Sequence, residues 1–195
     1  RLIEPTAGEL LIDNDNVLEL NGSKLRQFRR TRMSMVFQSF ALLPHKTILE
    51  NVAFGCLLRG DSRQDAIARS RTWINGRIGL NGYENHYPDE LSGGMRQRVG
   101  LARALVSDPE VLLMDEAFSA LDPLIRRDMQ DVLLAMQAEL KKTIVFITHD
   151  IDEAMRLGNK IAILREGTLI QLGTPEEIKN RPADDYVRKF FEHHD

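Results

Sequence analysis

Residues 111–123 read VLLMDEAFSALDP, and this stretch carries most of the information about the fold. Its first four residues are apolar, which indicates a short buried strand. Two acidic residues, Asp115 and Glu116, follow the apolar run directly. Asp122 and Pro123 then predict the start of a helix, with the aspartate as N-cap and the proline in the first turn. A buried strand that leads through a turn into a helix is typical of an α/β protein.

The same alternation of strands and helices extends to both sides of this stretch. Residues 33–37 predict an earlier strand that meets Gln38, and the β-branched residues 143–148 predict a later strand that ends at His149. Strand, helix and strand in this order predict a parallel sheet, whose ligands bind at the carboxyl ends of the strands. The polar residues that follow these strands are therefore candidate site residues.

The acidic pair has a chemical and a structural interpretation. Asp115 is a candidate ligand of hydrated Mg²⁺, a hard cation that prefers carboxylates and water. Glu116 is then a candidate general base that orients or deprotonates an attacking water. In the alternative interpretation both acids merely cap the next element. Apolar strands that end in acids are common, so the pair alone does not decide between the two.

A second motif lies at residues 91–97, which read LSGGMRQ. Ser92 and two glycines open a predicted helix, where free backbone N–H groups and the helix dipole favour an anion. Gly93 and Gly94 would let a phosphate approach the backbone closely. The alternative is a Ser-Gly-Gly turn without a ligand, which this motif by itself favours.

The remaining segments predict helices in the middle of the chain and β-structure at both ends. Residues 44–107 have mainly helical spacing of apolar side chains. Residues 17–20 predict a strand, and the dipeptide Asn21-Gly22 predicts a turn. Near the C-terminus, two apolar runs flank Glu166-Gly167 and predict a hairpin.

Composition narrows the class of protein. The chain has 195 residues, 43% of them hydrophobic and 28% charged, which is ordinary for a globular protein and excludes a wholly disordered one. The net charge of −3 argues against a general nucleic-acid binder. A single cysteine, Cys56, excludes an internal disulfide and fits a reducing compartment.

Taken in order, these motifs resemble those of the ATP-binding-cassette (ABC) ATPases. The resemblance implies an α/β fold like that of P-loop NTPases, with a parallel sheet core, a helical subdomain and a small antiparallel β part. The implied units are a helical subdomain at about 44–107, an α/β core at about 108–165, and a C-terminal hairpin and helix at about 166–195. The matching positions are Gln38 for the Q-loop, residues 91–97 for the signature motif, Asp115 and Glu116 for the Walker B pair, residues 119–122 for the D-loop and His149 for the switch histidine.

The resemblance is closer to one branch of that family. Residues 37–45, 114–126 and 184–187 look like the ATPase subunit of glycine betaine, or quaternary amine, importers. This implies ATP hydrolysis that powers uptake of glycine betaine, proline betaine or related osmoprotectants. It also implies a peripheral position on the cytoplasmic face of the inner membrane. The implied partners are transmembrane permease subunits, an external substrate-binding protein and a second ATPase subunit in a head-to-tail dimer, with no nucleic acid.

The family mechanism also implies roles for single residues, with ATP and Mg²⁺ as cofactors. Glu116 would be the base, and His149 and Gln38 would position the γ-phosphate and the attacking water. Asp115 and Gln38 would hold Mg²⁺. The residues implied in nucleotide binding across the dimer are Ser92, Gly93, Gly94, Gln97 and Asp122.

One expected motif is missing. The phosphate-binding loop of this family requires G-x-x-x-x-G-K-[ST], and no lysine of the chain follows a glycine. We therefore expect a fragment that lacks an N-terminal strand, phosphate-binding loop and helix, that exposes apolar surface and that is inactive alone. The alternative is a binding or regulatory partner without this loop, which contributes only its signature motif to a complete ATPase subunit.

Overall fold

A computed structural model describes residues 3–38 and 41–191. Positions 39 and 40 of the importer-like stretch, and residues 192–195 of the expected C-terminal unit, lie outside the described residues. The strands are β1 (Leu11–Ile12), β2 (Asp15–Asn16), β3 (Met33–Val36), β4 (Val111–Asp115), β5 (Thr143–Ile147), β6 (Ile161–Arg165) and β7 (Thr168–Gly173). The α-helices are α1 (Gly22–Arg32), α2 (Ile48–Arg59), α3 (Arg63–Thr72), α4 (Gly93–Leu105), α5 (Pro123–Leu140), α6 (Ile151–Leu157), α7 (Pro175–Asn180) and α8 (Asp185–Lys189).

The predicted parallel sheet is present. Its strand order is β3-β4-β5, and both pairs are parallel. Val36 pairs with Met114, and Asp115 pairs with Ile147, so the three strands end near the same edge. The polar residues that follow β3, β4 and β5 are thereby brought to the carboxyl edge of the sheet, as the sequence predicts.

The two faces of this sheet differ in how they are covered. On one face Val36, Leu112 and Met114 are at most 2% exposed and belong to the main hydrophobic core, to which α2, α4 and α5 contribute. Side chains alternate between the faces of a strand. On the opposite face Val145 is 48% exposed and Ile147 is 58% exposed. We call these the covered face and the open face.

Helices fill the middle of the chain, as predicted. Thr47 caps α2 with a capping box, in which it exchanges hydrogen bonds with Glu50. After α3 the chain forms a π-helical turn at Trp73–Arg77. The hairpin prediction is also confirmed: β6 and β7 pair antiparallel, and Glu166 and Gly167 both have positive φ.

Two local predictions in the N-terminal part are wrong. Val17–Glu19 forms a 3₁₀ turn rather than a strand, because the Asn16 side chain accepts a hydrogen bond from the Leu18 amide and caps it. Asn21 and Gly22 do not form a turn of their own. The Asn21 side chain accepts from the Lys24 amide and caps α1, of which Gly22 is the first residue.

Candidate active site

The end of β4 delivers the acidic pair to the edge of the sheet. Asp115 is the last residue of the strand and is exposed. Glu116 has a φ of +44°, in the left-handed region that non-glycine residues rarely adopt. Its backbone N–H donates to the carbonyl oxygen of Ile147 on β5, 2.9 Å away. The backbone therefore turns sharply at Glu116 while it stays tied to the neighbouring strand.

This turn brings Glu116 to His149. The Nδ1 atom of His149, which follows β5, lies 3.1 Å from Oε1 of Glu116. When the carboxylate is ionised it only accepts, and Nδ1 is then the donor of this contact. The His149 side chain is 70% exposed and that of Glu116 is 36% exposed, so solvent reaches both. A carboxylate and an imidazole that touch each other and water can together orient a water molecule and move a proton.

The loop between β4 and α5 is held by Gln38. The Ser119 hydroxyl donates to the carbonyl oxygen of Glu116 at 2.9 Å, and it accepts from Nε2 of Gln38 at 2.9 Å. Because the amide nitrogen of Gln38 is used here, its amide oxygen is the atom with the chemistry of a metal ligand. The end of β3 and the turn at Glu116 are thus joined through one serine.

The segment after Gln38 is tied to α4. Nη1 of Arg103 donates to the carbonyl oxygen of Ala41, 2.6 Å away. Burial lowers the pKa of Arg103 because its charged form loses hydration. This bond fixes the chain just beyond the two residues that the structure does not describe.

Gln97 lies in the interior. Its side chain is 0% exposed, and its Nε2 donates to the carbonyl oxygen of Ala117 at 2.5 Å. The structure thus places this side chain inside the chain, and its assignment to nucleotide binding stays a prediction. The side chain braces the residue after Glu116 against α4.

The start of α4 is a second location for the candidate residues. Ser92 is exposed and caps the helix by accepting from the Met95 amide at 3.3 Å. Gly94 packs so closely on α5 that an added Cβ would lie 2.8 Å from Cγ2 of Ile125. An added Cβ on Gly93 would meet nothing within 4 Å. The first turn of α4 therefore has one glycine that packing requires and one that faces open space.

Asp122 begins α5 by position, but not by a side-chain cap. Its backbone is extended, and its carbonyl oxygen accepts the first helical hydrogen bond, from the Arg126 amide at 2.8 Å. Its carboxylate, however, makes no capping bond to α5 within the described residues, so this part of the prediction is wrong. With proline at the first position, the helix start has one orphan N–H fewer to satisfy. The exposed carboxylate remains available to other groups.

A scan against family models identifies the family of this chain. The model described as ABC transporter matches residues 1–119, which is more than half of the chain. The chain belongs to the ABC transporter family. Its fold is that of an ABC ATPase cassette, with a parallel sheet core and additional antiparallel strands.

Named relatives narrow the similarity. The chain is 57% identical over 191 residues to the glycine betaine/proline betaine transport system ATP-binding protein ProV of Salmonella typhimurium, which covers 98% of this chain and 48% of that protein. It is 55% identical over 192 residues to the glycine betaine transport ATP-binding protein OpuAA of Bacillus subtilis, covering 98% of this chain and 46% of that protein. The chain thus spans about half the length of these curated relatives.

Solved structures agree with the fold. An ATP-binding cassette, determined as a dimer in a post-hydrolysis state bound to ADP and Pi, matches with a TM-score of 0.76 and 34% identity. The match covers 89% of this chain and 76% of that one. Separately, none of the helices in the described part of the chain is both long and apolar enough to cross a membrane.

Oxygen donors of the kind that a hydrated Mg²⁺ prefers are available at the carboxyl edge. Asp115 offers an exposed carboxylate, and the amide oxygen of Gln38 is a second hard ligand. Among residues 3–38 and 41–191, no group of three or more His, Cys, Asp or Glu side chains could hold a metal. This donor set fits Mg²⁺, which keeps several waters and binds through one or two protein ligands together with substrate phosphates.

Sequence reasoning assigned no role to Arg126, which contacts three residues in two segments of the site. Nη2 lies 3.3 Å from the carbonyl oxygens of both Ser119 and Leu121, and Nη1 lies 3.3 Å from Oδ2 of Asp150. Its position four residues after Asp122, which directly precedes α5, was the available signal, because residues four apart share a helix face.

Proposed function

We propose that this chain is the catalytic part of an ATP-hydrolysing subunit that powers import of glycine betaine or a related quaternary amine. The contact between Glu116 and His149 at the carboxyl edge of the sheet carries this proposal. It joins a candidate base to a candidate phosphate-positioning group in a chain of the ABC transporter family. Membership of that family alone does not distinguish one transported substrate from another.

We assign the chemical role of each site residue from its position in the structure. Glu116 accepts the proton of the attacking water, and His149 holds both the carboxylate and the γ-phosphate side of the nucleotide. Asp115 and the amide oxygen of Gln38 would hold Mg²⁺, which neutralises charge on the phosphates when it is bound. Ser92 and Gly93 offer hydroxyl and backbone N–H groups at the start of α4 to the nucleotide of a second subunit in a head-to-tail dimer.

We propose that the phosphate-binding loop of this ATPase lies outside residues 1–195. No lysine follows a glycine in the sequence. Within the described residues, β5 is an edge strand, and its open face carries the exposed Val145 and Ile147. Unpaired strand edges and exposed apolar patches are places where further chain packs. We propose that a preceding strand, loop and helix cover this face, and that the chain as printed does not hydrolyse Mg-ATP alone.

The substrate and the partners are argued from the relatives. Both named relatives are described as ATP-binding proteins of betaine transport, at 57% and 55% identity. We propose the same substrate class for this chain, together with permease subunits and a substrate-binding protein as partners at the cytoplasmic face of the inner membrane. We propose a shallow cavity of about 400 Å³ on the helical part of the chain as the permease contact. Pro44, His86 and Tyr87 are among the residues that line it.

The test is the variant Glu116→Gln in the full-length protein, assembled with its permease. We expect ATP binding to be retained and phosphate release to fall by about 10² to 10⁴ fold, because the amide cannot accept a proton. Uptake of labelled glycine betaine by cells that carry only this variant should fall with it. The measurements are ATP binding, phosphate release and uptake.

Glu176→Gln is the matched control, since it makes the same change at an exposed position on α7. Normal turnover in Glu116→Gln would refute the role of Glu116. Absence of hydrolysis in the wild-type assembly would refute the ATPase itself, and hydrolysis without betaine uptake would refute the substrate class.

A further inference from the structure

Arg126 makes hydrogen bonds to two separate segments of the chain. Among the described residues, no other side chain is hydrogen-bonded to both of them. Arg126 donates to the carbonyl oxygens of Ser119 and Leu121, in the loop between β4 and α5. It also donates to the carboxylate of Asp150, at the start of α6. A planar guanidinium with five N–H donors can serve three acceptors at once, which the ammonium of lysine does not do with the same geometry.

The contact with Asp150 reaches His149 through the chain. Oδ2 of Asp150 faces Arg126, while Oδ1 accepts from the Glu153 amide at 3.1 Å and caps α6. His149 is the preceding residue, and its imidazole touches Glu116. Any shift of the Asp150 carboxylate therefore moves the base of the His149 side chain. The capping bond makes this coupling stiff, because α6 moves with Asp150.

The other contacts of Arg126 reach Glu116 through Ser119. The Ser119 residue whose carbonyl accepts from Arg126 also donates its hydroxyl to the Glu116 carbonyl. The guanidinium is thus bonded both to the backbone of the loop that holds Glu116 and to the helix cap that follows His149.

The hydrogen-bonding capacity of this guanidinium is only partly used. Its three bonds are all 3.3 Å long, whereas charge-assisted N–H to oxygen bonds are usually about 2.7–2.9 Å. Nε is buried and has no partner within the described residues. Buried donors without partners are uncommon and call for an explanation. The contacts that join the two segments are therefore made by the two Nη atoms of Arg126.

We propose that Arg126 is a positioning residue that keeps the loop at residues 119–122 and His149 in a fixed relation, so that Glu116 and His149 meet. This inference rests on the proposed ATPase function. Arg126 itself is not a catalytic residue, since it acts through the backbone of the loop and through Asp150.

The first test replaces Arg126 in the full-length, permease-bound protein. Arg126→Gln keeps some donors but loses the charge and the fork. We expect kcat to fall by about 10 to 100 fold, the loss typical of a misplaced catalytic group, with KM for ATP unchanged. Arg126→Lys should recover only a small part of this loss. The matched control is Arg127→Gln, at the adjacent exposed position of α5, which should keep wild-type kcat.

A second background separates positioning from a general structural role. If Arg126 acts by placing His149, then Arg126→Gln should cause little further loss of kcat in a His149→Ala protein, because residues that act as a unit are not additive. Asp150→Asn should mimic Arg126→Gln and should not add to it. An equal fold loss from Arg126→Gln in the wild-type and His149→Ala backgrounds would overturn the proposal, and so would an unchanged kcat.

Amide hydrogen exchange tests the same inference without activity. In the nucleotide-free protein, Arg126→Gln should raise exchange at residues 119–122 and 150–153 together, and Arg127→Gln should not. Exchange that rises in only one of the two segments, or across the whole domain, would overturn the proposal. If the wild-type assembly hydrolyses no ATP, the ATPase proposal fails, while the exchange result still decides whether Arg126 joins the two segments.

Discussion

The covered and open faces of the parallel sheet have similar side chains and opposite environments. On β4, Leu112 is fully buried against helices of the main core. One strand away, Val145 on β5 is 48% exposed, although it is also apolar and also lies inside its strand. The difference lies in what packs on each face, since α4 and α5 lie against one of them. Apolar residues on both faces of the strands therefore indicate a sheet that is suited to burial on both faces.

The comparison predicts that equivalent truncations have unequal costs. Leu112→Ala should lower the free energy of unfolding by about 2–5 kcal/mol, because it leaves a cavity in a packed core. Val145→Ala should change it by about 0.5 kcal/mol or less in the chain as printed. Chemical denaturation of both variants, with wild type as the reference, measures this. Equal losses would show that the two faces are not different in solution.

The variants Leu112→Ala and Val145→Ala also test the proposal that a preceding segment covers the open face. In the full-length protein, Val145→Ala should become clearly more costly than in the chain as printed, while the cost of Leu112→Ala should stay the same. A Val145→Ala cost that does not change with chain length would mean that the open face is not where the preceding segment packs.

The contact between α4 and α5 allows a second comparison, on a smaller scale. Gly94→Ala places a Cβ 2.8 Å from Cγ2 of Ile125, and overpacking of this kind costs about 1–3 kcal/mol. Gly93→Ala meets nothing within 4 Å and should be neutral or stabilising, by up to about 1 kcal/mol, because alanine favours the helix. Thermal unfolding of both variants checks this. A loss in Gly93→Ala as large as in Gly94→Ala would contradict the assigned packing.

Sequence reasoning predicted the elements whose signals are local and missed contacts that depend on other elements. The strands at 33–37, 111–114 and 143–148 and the hairpin around Glu166 were predicted, since apolar runs and turn residues lie within each segment. Whether Gln97 faces a ligand or the interior depends on where α4 packs, which no local pattern records. The role of Asn16 as a cap for Val17–Glu19 was likewise missed, because a short apolar run fits a strand and a 3₁₀ turn equally well.

The candidate site likewise has features that the sequence predicts and contacts that it does not predict. The motif order predicted that residues after β3, β4 and β5 would share one edge of the sheet, and they do. The contacts of Ser119 with Gln38 and of Arg126 with Asp150 join residues 81 and 24 positions apart. Such contacts depend on the angles at which the elements pack, and the sequence alone does not specify them.

The contrast between buried and exposed positions also applies to ion pairs. For these we expect the smallest effect on the free energy of unfolding. The Asp61 side chain is 18% exposed and accepts from Arg59 and Arg69, whereas Asp185, paired with Arg188, is 81% exposed. The hydrogen bond from Arg59 and the neighbouring charges lower the pKa of Asp61 below the usual 3.8. Asp61→Asn should therefore cost about 1 kcal/mol at neutral pH, and Asp185→Asn should cost close to nothing.

The pH dependence of that cost follows from its sign. Because the pKa of Asp61 is lower in the folded state, its stabilisation is fully present above the unfolded value near 3.8 and is lost as the pH falls through the folded value. The stability difference between wild type and Asp61→Asn should thus shrink on acidification below about 3.8. Urea unfolding of wild type and both variants from neutral pH to pH values below this point measures the difference. A difference that grows on acidification, or an Asp185→Asn cost equal to that of Asp61→Asn, would mean that partial burial does not strengthen this ion pair.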